Sequence, residues 1–129
     1  MINFLNKRIE YEFNYDAVLE DKLKKIVYIL SLYCEVEFNK DITITHIYRT
    51  EMEQNDIYHK SEKYQNKPWK SVHQFGRGVD VRSHNFNKIE IEKIKSFING
   101  ITYREGSATL TCIHHDIGLG EHFHLQVSY

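Results

Sequence analysis

A chain of 129 residues, 41% hydrophobic and 13% aromatic, has the length of one domain and enough apolar side chains to bury a core. Seventeen Lys and Arg oppose eighteen Asp and Glu, and a formal charge of -1 excludes a global field that would draw nucleic acid or an anionic membrane. Cys34 and Cys112 stand far apart outside any CxxC spacing, which excludes a disulfide framework or a zinc knuckle and leaves core packing as their reading.

The opening MINFLNKRIEYEF becomes charged before an apolar run develops, and no later run approaches the length of a membrane span. The expectation is a protein without signal peptide or membrane insertion, cytoplasmic on synthesis, organised as a single domain over residues 1–129. Leu19, Leu23, Ile26, Val27, Leu30, Tyr33 and Cys34 recur at three- and four-residue intervals, so the spacing predicts an amphipathic helix over about residues 16–36. From Asp41, DITITHIY sets Ile42, Ile44, His46 and Tyr48 against Thr43, Thr45 and Ile47, the alternation of a half-buried strand.

The polar stretch RTEMEQNDIYHKSEKYQNKPWKS holds the single proline, Pro68, and reads as a long functional loop with at most a short helix near Glu51 to Tyr58. GVDVR is a strand candidate, NKIEIEKIKSFING a helix closed by Asn99-Gly100, and ATLTCIHH and HFHLQVSY are both β-rich. Helix, strand, loop, strand, helix, strand, strand is the predicted order, an α+β domain with an antiparallel sheet flanked by helices.

Eight histidines are present, and the stretch SVHQFGRGVD raises the question of a surface loop or half of a metal site. His73 is followed seven residues later by Asp80, with Gly76 and Gly78 allowing a tight turn between them. Near the other end, Glu121 precedes His124 by three residues. Two imidazoles and a carboxylate suit Zn²⁺ and leave a fourth position for water, while a carboxylate that is not a ligand can take the proton of that water.

SVHQFGRGVD and EHFHLQ together resemble the zinc D-alanyl-D-alanine carboxypeptidase and L-alanyl-D-glutamate endopeptidase family, which has the Hedgehog/DD-peptidase fold. Ser71, His73, Gly76 and Asp80 match its first element, Ser-x-His-x-x-Gly-x-Ala-x-Asp, with Gly78 in place of the alanine; Glu121 and His124 match its acidic-x-x-His element. The resemblance implies His73, Asp80 and His124 as ligands of one Zn²⁺ per chain and Glu121 as general base. ITHIYRT resembles the family strand that ends in an aromatic-Arg pair, implying Arg49 beside the substrate carbonyl as a stabiliser of the oxyanion, and Ser71 as a substrate contact.

If EHFHLQ is extended, His122 shares a strand face with His124 and competes as third ligand, and Glu121 must lie at a loop-to-strand junction after Gly118 and Gly120 to reach the same site. His46 reads as a core or rim histidine, His59 and His84 as solvated loop residues, and one of His114 and His115 as a possible neighbour of the metal. Trp69 reads as core packing, ahead of the alternative of one wall of the substrate groove. The expected function is zinc-dependent hydrolysis of a peptide bond in the bacterial peptidoglycan stem peptide by a zinc-activated water, in an endolysin-like enzyme of a phage or prophage, monomeric, reaching the wall through a separately encoded pore. The alternatives are a zinc-stabilised structural or recognition module of the same fold without activity, and a zinc hydrolase of another amide or ester.

Overall fold

The apolar period that starts at Leu19 produces a helix over Asp21–Phe38 rather than 16–36, and a separate helix over Lys7–Tyr15 precedes it. In the computed structural model the described residues are 1–15, 19–47, 78–101, 111–116 and 120–127. In chain order they form β1 (Ile2–Phe4), α1 (Lys7–Tyr15), α2 (Asp21–Phe38), β2 (Ile42–His46), β3 (Gly78–Arg82), α3 (Lys88–Ile101), β4 (Cys112–Asp116) and β5 (Glu121–Gln126). The long stretch from Tyr48 through Arg77, with its expected loop and short helix, lies outside the described residues.

Each helix is bounded by a local device that the sequence carries. Asn6 Oδ1 accepts the Ile9 backbone N–H at 3.0 Å, an N-cap for α1. Asn39 takes the left-handed conformation (φ 53°) at the end of α2, where its N–H and that of Lys40 return to Glu35 O and Cys34 O. At the start of α3 the Asn87 and Glu90 side chains each accept the other's backbone N–H at 2.9 Å, a reciprocal capping box. Lys40 Nζ donates to Glu90 Oε1 at 2.7 Å, and this hydrogen bond, ahead of the Asn87 backbone contact, holds the Glu90 carboxyl below its ordinary range.

The sheet order is β1-β2-β3-β5-β4. β1 runs parallel to β2, and the other neighbours are antiparallel, so the sheet is mixed and not antiparallel as expected. The missed strand β1 is only three residues long, too short for an alternation to register, and the two helices that follow it carry the chain across so that β2 returns in the same direction. Fold class is α+β, with three helices and five strands among the described residues.

One face of the sheet is apolar. Ile42, Ile44, Val79, Val81, Cys112, Phe123 and Leu125 are fully buried with Leu23, Val27, Leu30 and Cys34 of α2 and Ile94 and Ile98 of α3. Tyr33 and Phe97 stack at 4.0 Å between ring centroids, joining α2 to α3. Asn99 on α3 holds the edge strand β4: its Nδ2 donates to Cys112 O at 3.0 Å and its Oδ1 accepts the Cys112 N–H at 2.9 Å. Asn99, read as a helix stop, lies inside α3, which runs on to Ile101, and it fixes where the histidines of β4 fall. Among the described residues no helix is long and apolar enough to cross a membrane.

Candidate functional site

The period of two along β3 and β5 separates packing from chemistry. Val79, Val81, Phe123 and Leu125 point into the core, so Asp80, Arg82, His122, His124 and Gln126 point to the other face. Asp80 pairs in register with His124 and Arg82 with His122, while on the far side of β5 His115 pairs with His122. Strand pairing thus gathers residues from positions 80, 115, 122 and 124 onto one patch.

β2 adds to it through an irregularity. Ile44 pairs with Val81 and His46 with Asp80, so two β2 residues, Thr45 and His46, stand opposite one on β3. The shift turns His46 away from the core, where strict alternation would have placed it with Ile42 and Ile44, and buries Ile47 instead. His46 Nδ1 consequently lies 3.9 Å from Asp80 Oδ2.

Asp80 is the centre of the patch and is 1% exposed. His124 Nδ1 lies 2.9 Å from Asp80 Oδ1 and His122 Nε2 lies 3.5 Å from the same oxygen. The ring of His115 is 4.8 Å from that of His122 and 5.3 Å from that of His124, between centroids. Both β5 imidazoles are oriented from behind. His122 donates Nδ1–H to Gly120 O at 3.1 Å, a carbonyl that can only accept, so the neutral ring presents its Nε2 lone pair to Asp80. Asp80 Oδ1, a carboxylate oxygen that can only accept, takes a hydrogen bond from His124 Nδ1 at 2.9 Å, while His124 Nε2 lies 3.2 Å from the Gln126 side-chain amide.

A carboxylate oxygen with imidazole nitrogens at these distances suits a cation that displaces the Nδ1 proton of His124. Two donor atoms on one tetrahedral Zn²⁺ with bonds near 2.0–2.1 Å stand about 3.3 Å apart, and the observed 2.9 Å and 3.5 Å bracket that value. Of the expected ligands, Asp80 and His124 are brought together, and His122 is placed beside them. His73, Ser71 and Arg49 lie outside the described residues, as does Gly76. Among the described residues alone, no group of three or more His, Cys, Asp and Glu is arranged to hold a metal ion; the expected set draws its remaining ligand, His73, from beyond them.

Glu121 is the first residue of β5, directly after Gly120, whose φ of +91° is a left-handed conformation natural only to glycine. It is exposed, whereas His122 through Gln126 are buried; as the first residue of the strand, paired with Asp116, it has the alternation of Phe123 and Leu125 rather than that of His124. Its backbone is anchored from the opposite face: Ser83 Oγ–H donates to Glu121 O at 3.0 Å, and His114 Nε2–H donates to Ser83 Oγ at 2.9 Å. Since the serine has a single proton and commits it to a carbonyl, the His114 nitrogen must be the donor.

Next to the patch opens a cavity of 310 Å³ whose lining includes Thr45, His46, Arg82, Glu121 and His122. His46, Arg82 and Gln126 were not singled out from the sequence as site residues, and the only sequence signal for them is strand register. Cys34 and Cys112 are fully buried, and burial, as the leading cause in each case, pushes both thiols up to about 12. Neutral thiols are poor nucleophiles, so neither belongs to the chemistry at neutral pH. Comparison with family models, with curated proteins and with solved structures gives no match.

Proposed function

We propose that this chain is a zinc-dependent peptidase that hydrolyses a peptide bond in bacterial peptidoglycan stem peptides, with a Hedgehog/DD-peptidase-like fold over a single domain. The observation that carries the reading is the pair Asp80 and His124, in register on adjacent strands and 2.9 Å apart, with Glu121 at the start of the same strand. The resemblance of SVHQFGRGVD and EHFHLQ to the zinc carboxypeptidase and endopeptidase family assigns these residues their roles.

His73, Asp80 and His124 would hold one Zn²⁺, and His122, with its Nε2 also turned to Asp80, stands next to that set. The ion, when bound, supplies Lewis acidity toward a water molecule and toward the scissile carbonyl. Glu121 takes the proton from the attacking water and returns it to the leaving amine, a shuttle that its exposed position beside the cavity permits. Arg49 stabilises the oxyanion as it develops, and Ser71 holds the peptide. A phage or prophage lysis enzyme of this kind reaches the wall through a separate pore, and it acts as a monomer.

Incubation of the zinc-loaded protein with muropeptides, followed by mass spectrometry of new amine and carboxyl ends, tests the reading. Glu121→Gln should keep the metal and lose roughly two to four powers of ten in rate. Unchanged turnover in that variant removes Glu121 as the base. A fully zinc-occupied wild type that cleaves no stem peptide points instead to a structural or recognition module.

A further inference from the structure

One side of α2 fills the core with Leu23, Val27, Leu30 and Cys34, yet its outward side is apolar as well. Tyr28, Ile29, Leu32 and Val36 are exposed there, Leu32 to 62% and Val36 to 72%. Lys25, Tyr28, Leu32 and Glu35 follow one another at steps of three, four and three residues, the spacing by which one helix presents a continuous row to another. Ile29 and Val36 lie beside that row. The Tyr28 ring is set edge-on to Phe13 at 5.6 Å between centroids, a contact that orients it on this face.

Charge along the same helix runs against its dipole. Apart from Asp21, the N-terminal end carries Lys22, Lys24 and Lys25, while Glu35 and Glu37 stand near the C-terminus and the last turn holds no basic residue. A helix favours anions at its start and cations at its end, so α2 alone holds these charges unfavourably. A second helix laid antiparallel meets each end with the opposite sign. Glu35 also lies 3.6 Å from the N-terminal ammonium, but both groups are exposed and such a contact contributes little. At a formal charge of -1 the chain as a whole does not strongly repel its own copy.

We propose that the outward face of α2 is the contact surface for a second copy of this chain, the two α2 helices packing antiparallel about a two-fold axis at the level of Leu30. That axis sets Lys25 opposite Glu35 of the second copy and Tyr28 opposite Leu32 of the second copy, and symmetry repeats both contacts, as an isologous pair requires. Ion pairs thus flank an apolar centre at both ends. One helix face per copy buries less than about 1,200 Å², the range of weak and transient pairs, so association is reversible and the monomer is the acting species in dilute solution. α2 covers the apolar face of the sheet, whereas Asp80, His122 and His124 lie on the other, so pairing leaves the 310 Å³ cavity of each copy open. The pairing does not depend on the peptidase reading.

Sedimentation equilibrium between about 10 and 500 μM, where a pair of this size associates, should give a wild-type mass that rises toward two chains. Leu32→Glu should abolish that rise. Lys25→Glu and Glu35→Lys should each weaken association on the order of tenfold, because the two-fold axis puts two like-charge contacts into every pair. Both charge substitutions in one chain restore the wild-type net charge and should restore the pair. Circular dichroism reports the fold of each variant, and if Leu32→Glu fails to fold, the charge variants carry the test. A wild type that stays monomeric across the range overturns the proposal and leaves the face to a partner of another sequence. Association that ignores Leu32→Glu overturns it by placing the contact on another surface. A double charge variant that pairs no better than the single ones refutes the antiparallel register.

Discussion

Zinc should raise the thermal stability of the wild type and leave that of Asp80→Ala unmoved. Asp80 faces His124 Nδ1 at 2.9 Å, His122 Nε2 at 3.5 Å and His46 Nδ1 at 3.9 Å, so its removal takes away the anion around which the imidazoles are gathered. A ligand that binds only the folded state adds about 2.7 kcal/mol when its free concentration is 100 times its Kd. Unfolding entropy is about 2.1 cal/mol/K per residue near 60 °C; for 129 residues that makes roughly 0.27 kcal/mol/K, and the zinc increment becomes a Tm shift of about 10 °C. In chelator two effects oppose one another. Loss of a hydrogen bond to an ionised partner costs about 1.5–3 kcal/mol, while removing a carboxylate that is 1% exposed relieves its desolvation. The zinc-free difference between the two proteins should therefore be smaller than the zinc increment. Melts followed by far-UV circular dichroism, in chelator and in buffered zinc, measure both. An equal rise in Asp80→Ala would place the ion elsewhere, and no rise in either protein would refute the metal site.

Four further outcomes follow from the fold. Asn87→Ala breaks the capping box of α3 and should cost about 1 kcal/mol, read from urea denaturation; an unchanged midpoint would mean that the cap contributes nothing. Because Glu90 is held below its ordinary range by Lys40 first and by Asn87, its contribution is present above the unfolded carboxylate pKa and is lost as pH falls through the lowered folded value; Glu90→Gln should flatten that acid limb in a pH series of melts. Cys34 and Cys112, both pushed up to about 12 by burial, should ignore a thiol reagent at pH 8 in the folded protein and react fully in urea. Since the unfolded thiols ionise near 9.0, stability should also decline as pH rises from there toward 12; rapid labelling of the native protein would contradict the burial. Phe123→Ala, which empties a site 1% exposed between the two β5 histidines, should cost about 3–5 kcal/mol, and a loss below 1 kcal/mol by denaturation would show that β5 is not packed as described.

Residues with a regular period were legible in the sequence. GVDVR forms a strand over Gly78–Arg82, the periodic isoleucines after Asn87 form α3, and the α2 stripe predicts its buried residues Leu23, Ile26, Val27, Leu30 and Cys34. The helix α1 was missed because its nine residues bury few apolar side chains, Ile9 and Phe13 among them, and its cap at Asn6 is a single residue. The parallel pairing of β1 was missed because no local pattern encodes the direction of a three-residue strand. In the site, motif spacing led to Asp80, Glu121 and His124, whereas His46 depended on an extra residue in β2 that an alternation rule cannot foresee. Arg82 had no motif, and its place follows only from its register with His122.

The same strand pair carries both the centre of the core and the centre of the candidate site, and this ties metal affinity to packing. Val79, Val81, Phe123 and Leu125 are buried on one face, while Asp80, His122 and His124 are buried on the other, so a slip of β5 against β3 by one residue would exchange Phe123 and Leu125 for His122 and His124 on the core face. A slip would place the imidazoles among Ile94, Ile98 and Leu30, where a buried polar group without a partner is unfavourable. Apolar burial therefore selects the register, and the register in turn sets the distance between Asp80 and His124. On this view a cavity-forming change on the core face, such as Phe123→Ala, should weaken zinc binding even though it touches no ligand, because it loosens the strand that holds two of the imidazoles.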